Sequence, residues 1–291
     1  MIDRLRPLLS RARRFQQEAT DDRLTGLAAE VAFFAVLGMF PGLLAVAAAL
    51  GFVQDLLGGD VAVRAQQVVT EFLSTFLTDR ASETVEAVRA LFDKSDPALL
   101  SAATAGALWA VWRTIRAVMR ALTVVYDVSE ARSLIRTLLL TLALALSTLV
   151  VTSVMLVMFV LGPLFGGGEA IADLVGLGEV FVRLWRWVRF PVGLAVLVLW
   201  AAMMFHFAPN HRSSFRSDLP GAVVTGALWL LFSGGLRFYL AVAGSVNQVL
   251  GVIGGLLTVL IWLYLLSLAL LIGAEINAVT APSQEPDRSR G

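Results

Sequence analysis

The sequence predicts an all-α, polytopic membrane protein with six transmembrane helices and amphipathic helices in its external loops. Three observations carry this. Of 291 residues, 58% are hydrophobic and only 15% are charged, the balance of a chain that lives in lipid rather than in water. The apolar residues gather in runs long enough to cross a hydrocarbon core of roughly 30 Å at 1.5 Å per residue. The clearest is 219–278, two such runs joined by a short polar turn, which reads as a transmembrane hairpin. Charged residues between the runs alternate between basic and acidic groups, and this sets the direction of each crossing.

Cysteine is absent, which excludes a disulfide framework, a thiolate nucleophile and a Cys-based metal site. The net charge is only +1, but its distribution is uneven. Residues 1–26 form a basic segment with Arg4, Arg6, Arg11, Arg13, Arg14 and Arg23 and no long apolar stretch. No cleavable signal peptide is expected, and the first span serves as the insertion signal. Leu5, Leu8, Leu9, Ala12 and Phe15 recur at helical spacing between the arginines. The segment reads either as an interfacial helix on an anionic leaflet or as a basic tail that only sets topology.

The first span is expected over 27–53, with Glu30 near its start and Pro41 in its middle. Its many Ala and Gly residues let neighbouring helices approach closely where lipid gives no hydrophobic drive. Residues 54–97 turn acidic and carry two amphipathic helices, one marked by Val61, Ala65, Val68, Phe72 and Phe76 and another by Val85, Val88 and Leu91. The second span covers 98–119 and ends in Arg113, Arg116 and Arg120. The third, 134–161, is almost purely apolar and stops at Gly162-Pro163. An external segment follows, with Trp185 and Trp187 as an interfacial aromatic belt. The fourth span is 190–207, and the fifth and sixth, 219–242 and 249–274, form the hairpin. The tail 281–291, rich in charge and proline, is expected to be disordered.

The amino terminus and the loops around Arg116–Arg136 and Arg212–Arg216 are basic, while the loops between are acidic or balanced. Both termini are therefore expected in the cytoplasm, and six spans satisfy the alternation. That orientation brings Glu30, Arg113, Arg116, Glu275 and Asn277 to one depth, the cytoplasmic third of the bilayer. Ionisable groups in membrane helices are costly and tend to face the bundle interior, pair, or line a wet path. These five residues are the candidate site, with Arg113, alone or together with Arg116, bridging Glu30 and Glu275 and Asn277 donating a hydrogen bond. It reads as a gate, or as a site for an anionic headgroup or a proton. The bland alternative is that the groups snorkel to the interface or form a static ion pair.

Other polar residues are weaker candidates. Arg237 is expected to snorkel outward, and Asn247 and Gln248 suit a turn. His206 and His211, the only histidines, flank a turn and are too few for a metal centre. No Walker-type phosphate loop, Rossmann glycine pattern or serine elbow appears. No metal and no cofactor is expected.

From about Leu24 to Ala278 the chain resembles the YihY/BrkB family of bacterial inner-membrane proteins, formerly named ribonuclease BN. The resemblance rests on AAEVAFFAVLGMFPGLL in the first span, LWAVWRTIRAVMRALTVVYDV after the second, and APNHR and DLPGA before the fifth. The closing segment, GxxGGLLTVLIWLYLLSLALLIGAEINA, is the most specific, with Trp262, Tyr264, Gly273, Glu275 and Asn277 at the pattern positions. Phe34 and Gly38 stand where Tyr and Ser are common, Thr123 where Asn is common, and Leu250 where Tyr is frequent. No role of those missing groups carries over. The resemblance implies a six-helix inner-membrane protein and, through the family's links to virulence and envelope integrity, transport or lipid handling.

The expected function is thus a non-enzymatic transporter or lipid translocase moving an amphipathic or anionic substrate through a polar site in the bundle. Membrane lipids are its expected partners, with homo-oligomerisation left open and nucleic acid excluded. The rival is a structural or assembly protein of the envelope. A ribonuclease is least favoured, because hydrolysis needs clustered metal ligands and a basic phosphate track that the short cytoplasmic loops do not provide.

Overall fold

A computed structural model describes residues 23–38, 97–156, 158–159, 178–211, 214–242 and 247–280. Outside them lie the basic segment up to residue 22, Pro41, the acidic segment in which two amphipathic helices are expected, the glycine run after Pro163 and the tail. The described residues form six helices and no strand. They are α1 (Leu24–Gly38), α2 (Pro97–Val125), α3 (Leu134–Leu156), α4 (Gly178–Phe207), α5 (Phe215–Val242) and α6 (Asn247–Thr280).

Four of them contain stretches long and apolar enough to cross a membrane: Leu134–Thr152, Trp187–Phe207, Phe215–Val242 and Gly254–Thr280. Several boundaries differ from the sequence expectation; α5 opens at Phe215 rather than 219, and α6 runs to Thr280 rather than 274. Helix α2 continues to Val125, past its arginines. Helix α4 begins at Gly178 rather than 190, so Trp185 and Trp187 stand on a helix instead of in a loop. Arg183, Arg186 and Arg189 make that stretch look like a connection, but arginine is a good helix former and the backbone does not register charge. Pro191 sits inside α4 without ending it, as proline can where neighbouring helices hold the chain.

Helix α2 packs on α3, α3 on α4, α4 on α5, α5 on α6, and α6 returns to α2, so five helices close into a ring. Helix α1 lies antiparallel against α2. Its Gly38 is level with Ala110, its Phe34 with Arg113 and its Glu30 with Arg120. The indole N–H groups of Trp200 and Trp229 find partners on neighbouring helices of the ring. Trp200 donates to Thr148 Oγ1 at 3.2 Å, and Trp229 donates to the Leu266 carbonyl at 2.9 Å.

Burial is uneven along the helices. Ile115, Val118, Leu122, Met204, Phe205, Ala222, Leu271 and Ala274 form the packed core. Leu108, Trp109, Leu199, Leu230, Leu231, Phe238, Tyr239, Leu256 and Leu257, further along the same helices, are exposed. The tight end is the one that carries the α2–α3 and α4–α5 connections. There α5 and α6 cross backbone to backbone at Gly221 and Gly273, where a methyl on either glycine would overlap the other's carbonyl oxygen.

Candidate functional site

The buried polar groups gather at the tight end, and the chain's local chemistry places each of them. Helix α2 closes in a Schellman motif. Val128 N–H donates to the Thr123 carbonyl and Asp127 N–H to the Val124 carbonyl, with Asp127 at φ 47°. Asp is tolerated in this left-handed position, which glycine usually fills. The motif presents Tyr126 as the capping residue. Helix α4 ends at the Ala208-Pro209 step, and its last carbonyls are held by Arg132 of the α2–α3 connection. The Arg132 guanidinium donates to Phe207 O at 3.2 Å, Ala208 O at 3.0 Å and Pro209 O at 2.7 Å. A cation there also suits the negative end of the helix dipole.

Helix α5 opens with Asp218 in its first turn and Pro220 just behind. Proline has no N–H and crowds the carbonyl one turn back, so the ladder around it is interrupted. Asn277 of α6 repairs the gap. Its Oδ1 accepts from Gly221 N–H at 2.7 Å, and its Nδ2 donates to the Asp218 carbonyl at 2.9 Å. Glycine at 221 and 273 is what lets this amide reach the backbone.

Asp218 is 1% exposed and faces both histidines. Its Oδ2 lies 2.9 Å from His206 Nδ1, and its Oδ1 lies 4.0 Å from His211 Nε2. The His211 ring stacks on Tyr126 at 4.5 Å and 23°. The Tyr126 hydroxyl sits near the Asn277 amide without a well-aligned hydrogen bond. Burial pushes the Tyr126 phenol above its ordinary value; Asn277 opposes this, and Asp218 and Glu275 reinforce it. Burial also holds His211 below the ordinary imidazole value, with His206 and Arg132 adding to that effect and Asp218 and the Pro209 carbonyl acting against it. Glu275 is 1% exposed as well. One end of the ring therefore encloses two carboxylates, two imidazoles, a phenol and an amide.

The five residues singled out in the sequence divide differently from the expectation. Glu275 and Asn277 belong to this cluster, but Asn277 bonds to the α5 backbone and not to an α1–α2 network. Glu30 pairs with Arg120, not Arg113. The antiparallel register explains the correction: Arg113 stands level with Phe34 and lies over its ring at 4.6 Å, about a turn away from Glu30. Arg116 lies over Trp112 at 6.0 Å. Neither Arg113 nor Arg116 makes an ion pair among the described residues, and Arg113 Nε and Trp112 Nε1 are buried without a hydrogen bond. Tyr126, Asp218 and the two histidines in their pairing with it were missed as site residues. The available signal was an aspartate directly before Leu-Pro-Gly at the mouth of an apolar helix, within reach of the only two histidines. Among the described residues no group of three His, Asp or Glu side chains is arranged to hold a metal ion.

A family model described as Virulence factor BrkB matches residues 15–291. The ribonuclease-like protein YfkH of Bacillus subtilis (strain 168) is 28% identical over 258 residues, covering 86% of this chain and 88% of that protein. The UPF0761 membrane protein PSHAa0171 of Pseudoalteromonas translucida (strain TAC 125) is 27% identical over 135 residues, 44% of each chain. The UPF0761 membrane protein VV0203 of Vibrio vulnificus (strain YJ016) is 26% identical over 128 residues, 40% of each chain, so these two alignments span less than half of the relatives they match. No solved structure matches the chain. With its family pattern running through α1 to α6 and the polar cluster between them, the chain belongs to the BrkB virulence-factor family of membrane proteins.

Proposed function

We propose that this protein is a non-enzymatic transporter or lipid translocase of the bacterial inner membrane, crossing it six times with both termini in the cytoplasm. Its substrate is amphipathic or anionic. The observation that carries the reading is the contrast along α2. At the tight end the ring is sealed by buried Asp218, Glu275 and Asn277. Further along α2, past its buried core residues, stand Arg113 and Arg116, half-buried, walled by Phe34 and Trp112 and without a carboxylate among the described residues. Charges held in a membrane bundle at this cost suit a path for a charged solute. In this reading the cluster is the closed gate on the cytoplasmic side, and the two arginines receive the anionic group. The basic loops at the tight end support that orientation.

The test is fluorescent-lipid scrambling in proteoliposomes at matched reconstitution, comparing the unmodified chain with Arg113→Gln/Arg116→Gln and with Glu275→Gln. The expected result is scrambling by the unmodified chain and at least about a tenfold loss in both variants, equivalent to about 1.4 kcal/mol of barrier. Protein-containing vesicles that behave like empty ones count against lipid translocation.

A second reading, a structural or assembly protein of the envelope, draws on the backbone-tight Gly221–Gly273 crossing and the Asn277 clamp. It expects the cluster to matter for stability alone, with no transport phenotype in folded variants. RNA cleavage is part of neither reading.

A further inference from the structure

His206 and His211 are the chain's only histidines, and both address one buried carboxylate. Their side chains are 25% and 16% exposed, against 2% for that of Asp218. The group is thus shielded from water yet within reach of it. His206 already holds Asp218 at hydrogen-bond distance, whereas His211, at 4.0 Å, is too far to do so. His211 instead rests on Tyr126, and its Nδ1 is buried without a hydrogen bond.

That stacking is one of three ties, among the described residues, between the α4–α5 turn and the α2–α3 connection. Arg132 on the Phe207, Ala208 and Pro209 carbonyls is the second, and Asn210 Nδ2 donating to Ser129 O at 3.5 Å is the third. We infer that His206, Asp218 and His211 form a proton-binding site that controls this junction. With His211 neutral the turn is locked on Tyr126; a proton taken from solvent by His211 releases it.

The groups around His211 give the direction. From α5, Asp218 attracts the imidazolium; from α4, His206 repels it once charged; from the α2–α3 connection, Arg132 repels it and Tyr126 offers a ring face. Glu275 of α6 reaches the group through Tyr126. A charged His211 is drawn off Tyr126 toward Asp218, 4.0 Å away, where it competes with His206. The ring leaves its stack, and the turn loses the contact that aligns it under Arg132. The site stands independently of whether the protein moves lipid, because it concerns only the junction between two loops on one face.

The chain's lack of cysteine and its two histidines make the test direct. In the full-length protein in nanodiscs, the two imidazoles are followed by nitrogen-15 NMR between pH 8 and 5, with His206→Gln for assignment. His211 is expected to titrate below free imidazole, and its midpoint is expected to move in Asp218→Asn. In parallel, Ala208→Cys puts one thiol at a position of 0% exposure beneath the turn. Its labelling rate at each pH, divided by that of the unfolded chain, is expected to rise on acidification. The rise is about tenfold for each unit by which proton affinity differs between locked and released states. His211→Phe keeps the stacking, cannot take a proton, and is expected to flatten the response. Should the buried cysteine prevent folding, Asn210→Cys reports on the same turn. Labelling that does not change with pH, a response that persists in His211→Phe, or a His211 midpoint indifferent to Asp218→Asn overturns the inference.

Discussion

At the scale of single residues, Asn277 is the side chain whose loss has the plainest consequence. Its amide satisfies a donor and an acceptor of the α5 backbone in a buried place, and a buried group left without its partner costs about 1–3 kcal/mol. Asn277→Ala is expected to lower the thermal midpoint in detergent accordingly. Asn277→Asp is expected to lower it further, because a second oxygen then faces the Asp218 carbonyl where a donor stood. His211 gives a prediction in pH. Its folded value lies below the ordinary 6.5, so the unfolded chain takes up the proton first as pH falls. The stability it contributes is complete above 6.5 and declines below it. Denaturation midpoints measured from pH 8 to 5 should fall, and should fall less in His211→Phe.

At the scale of elements, the α5–α6 crossing depends on the absence of two side chains. Gly221→Ala places a methyl against the Gly273 carbonyl and 2.6 Å from Asn277 Nδ2. The helices must part, at an overpacking cost of about 1–3 kcal/mol. Gly234 and Gly235, on the same α5, have open space where a Cβ would stand. Alanine there is expected to be neutral or to stabilise by up to about 1 kcal/mol through helix propensity. Comparing folded yield and thermal midpoint among the three variants separates crowding from propensity. The α1–α2 register makes a second prediction. In a low-expression background created by Glu30→Arg, Arg120→Glu should restore yield, and Arg113→Glu should not, because Arg113 faces Phe34.

At the scale of the whole molecule, the ring is closed where the α2–α3 and α4–α5 connections meet, and these are held together by Arg132 and Asn210. Both must then lie on one side of the membrane. Single cysteines at Ser129 and Ser214 are expected to react with an impermeant maleimide from the same side, which the proposed orientation makes the cytoplasmic one. Labelling from opposite sides would break the proposed arrangement of spans.

Composition and hydropathy sufficed for the helical membrane class, because apolar runs of spanning length have few other uses. The same is true of the hairpin at 219–278 and of Glu275 and Asn277 as buried polar residues. What one-dimensional reading could not supply was partnership. Depth in the bilayer made Glu30 and Arg113 neighbours, but the antiparallel register of α1 on α2, fixed by Gly38 packing on Ala110, gave Glu30 to Arg120 instead. The sequence already displayed Tyr126, His211 and Asp218 within its family motifs, yet they come from three separate stretches. Only the return of α6 to α2 and the packing of α4 on α5 gather them around one buried carboxylate. Hydrophobicity is a property each residue carries alone and can be summed along the chain, whereas a hydrogen bond or ion pair exists only at contact distance, which the packing of the helices decides.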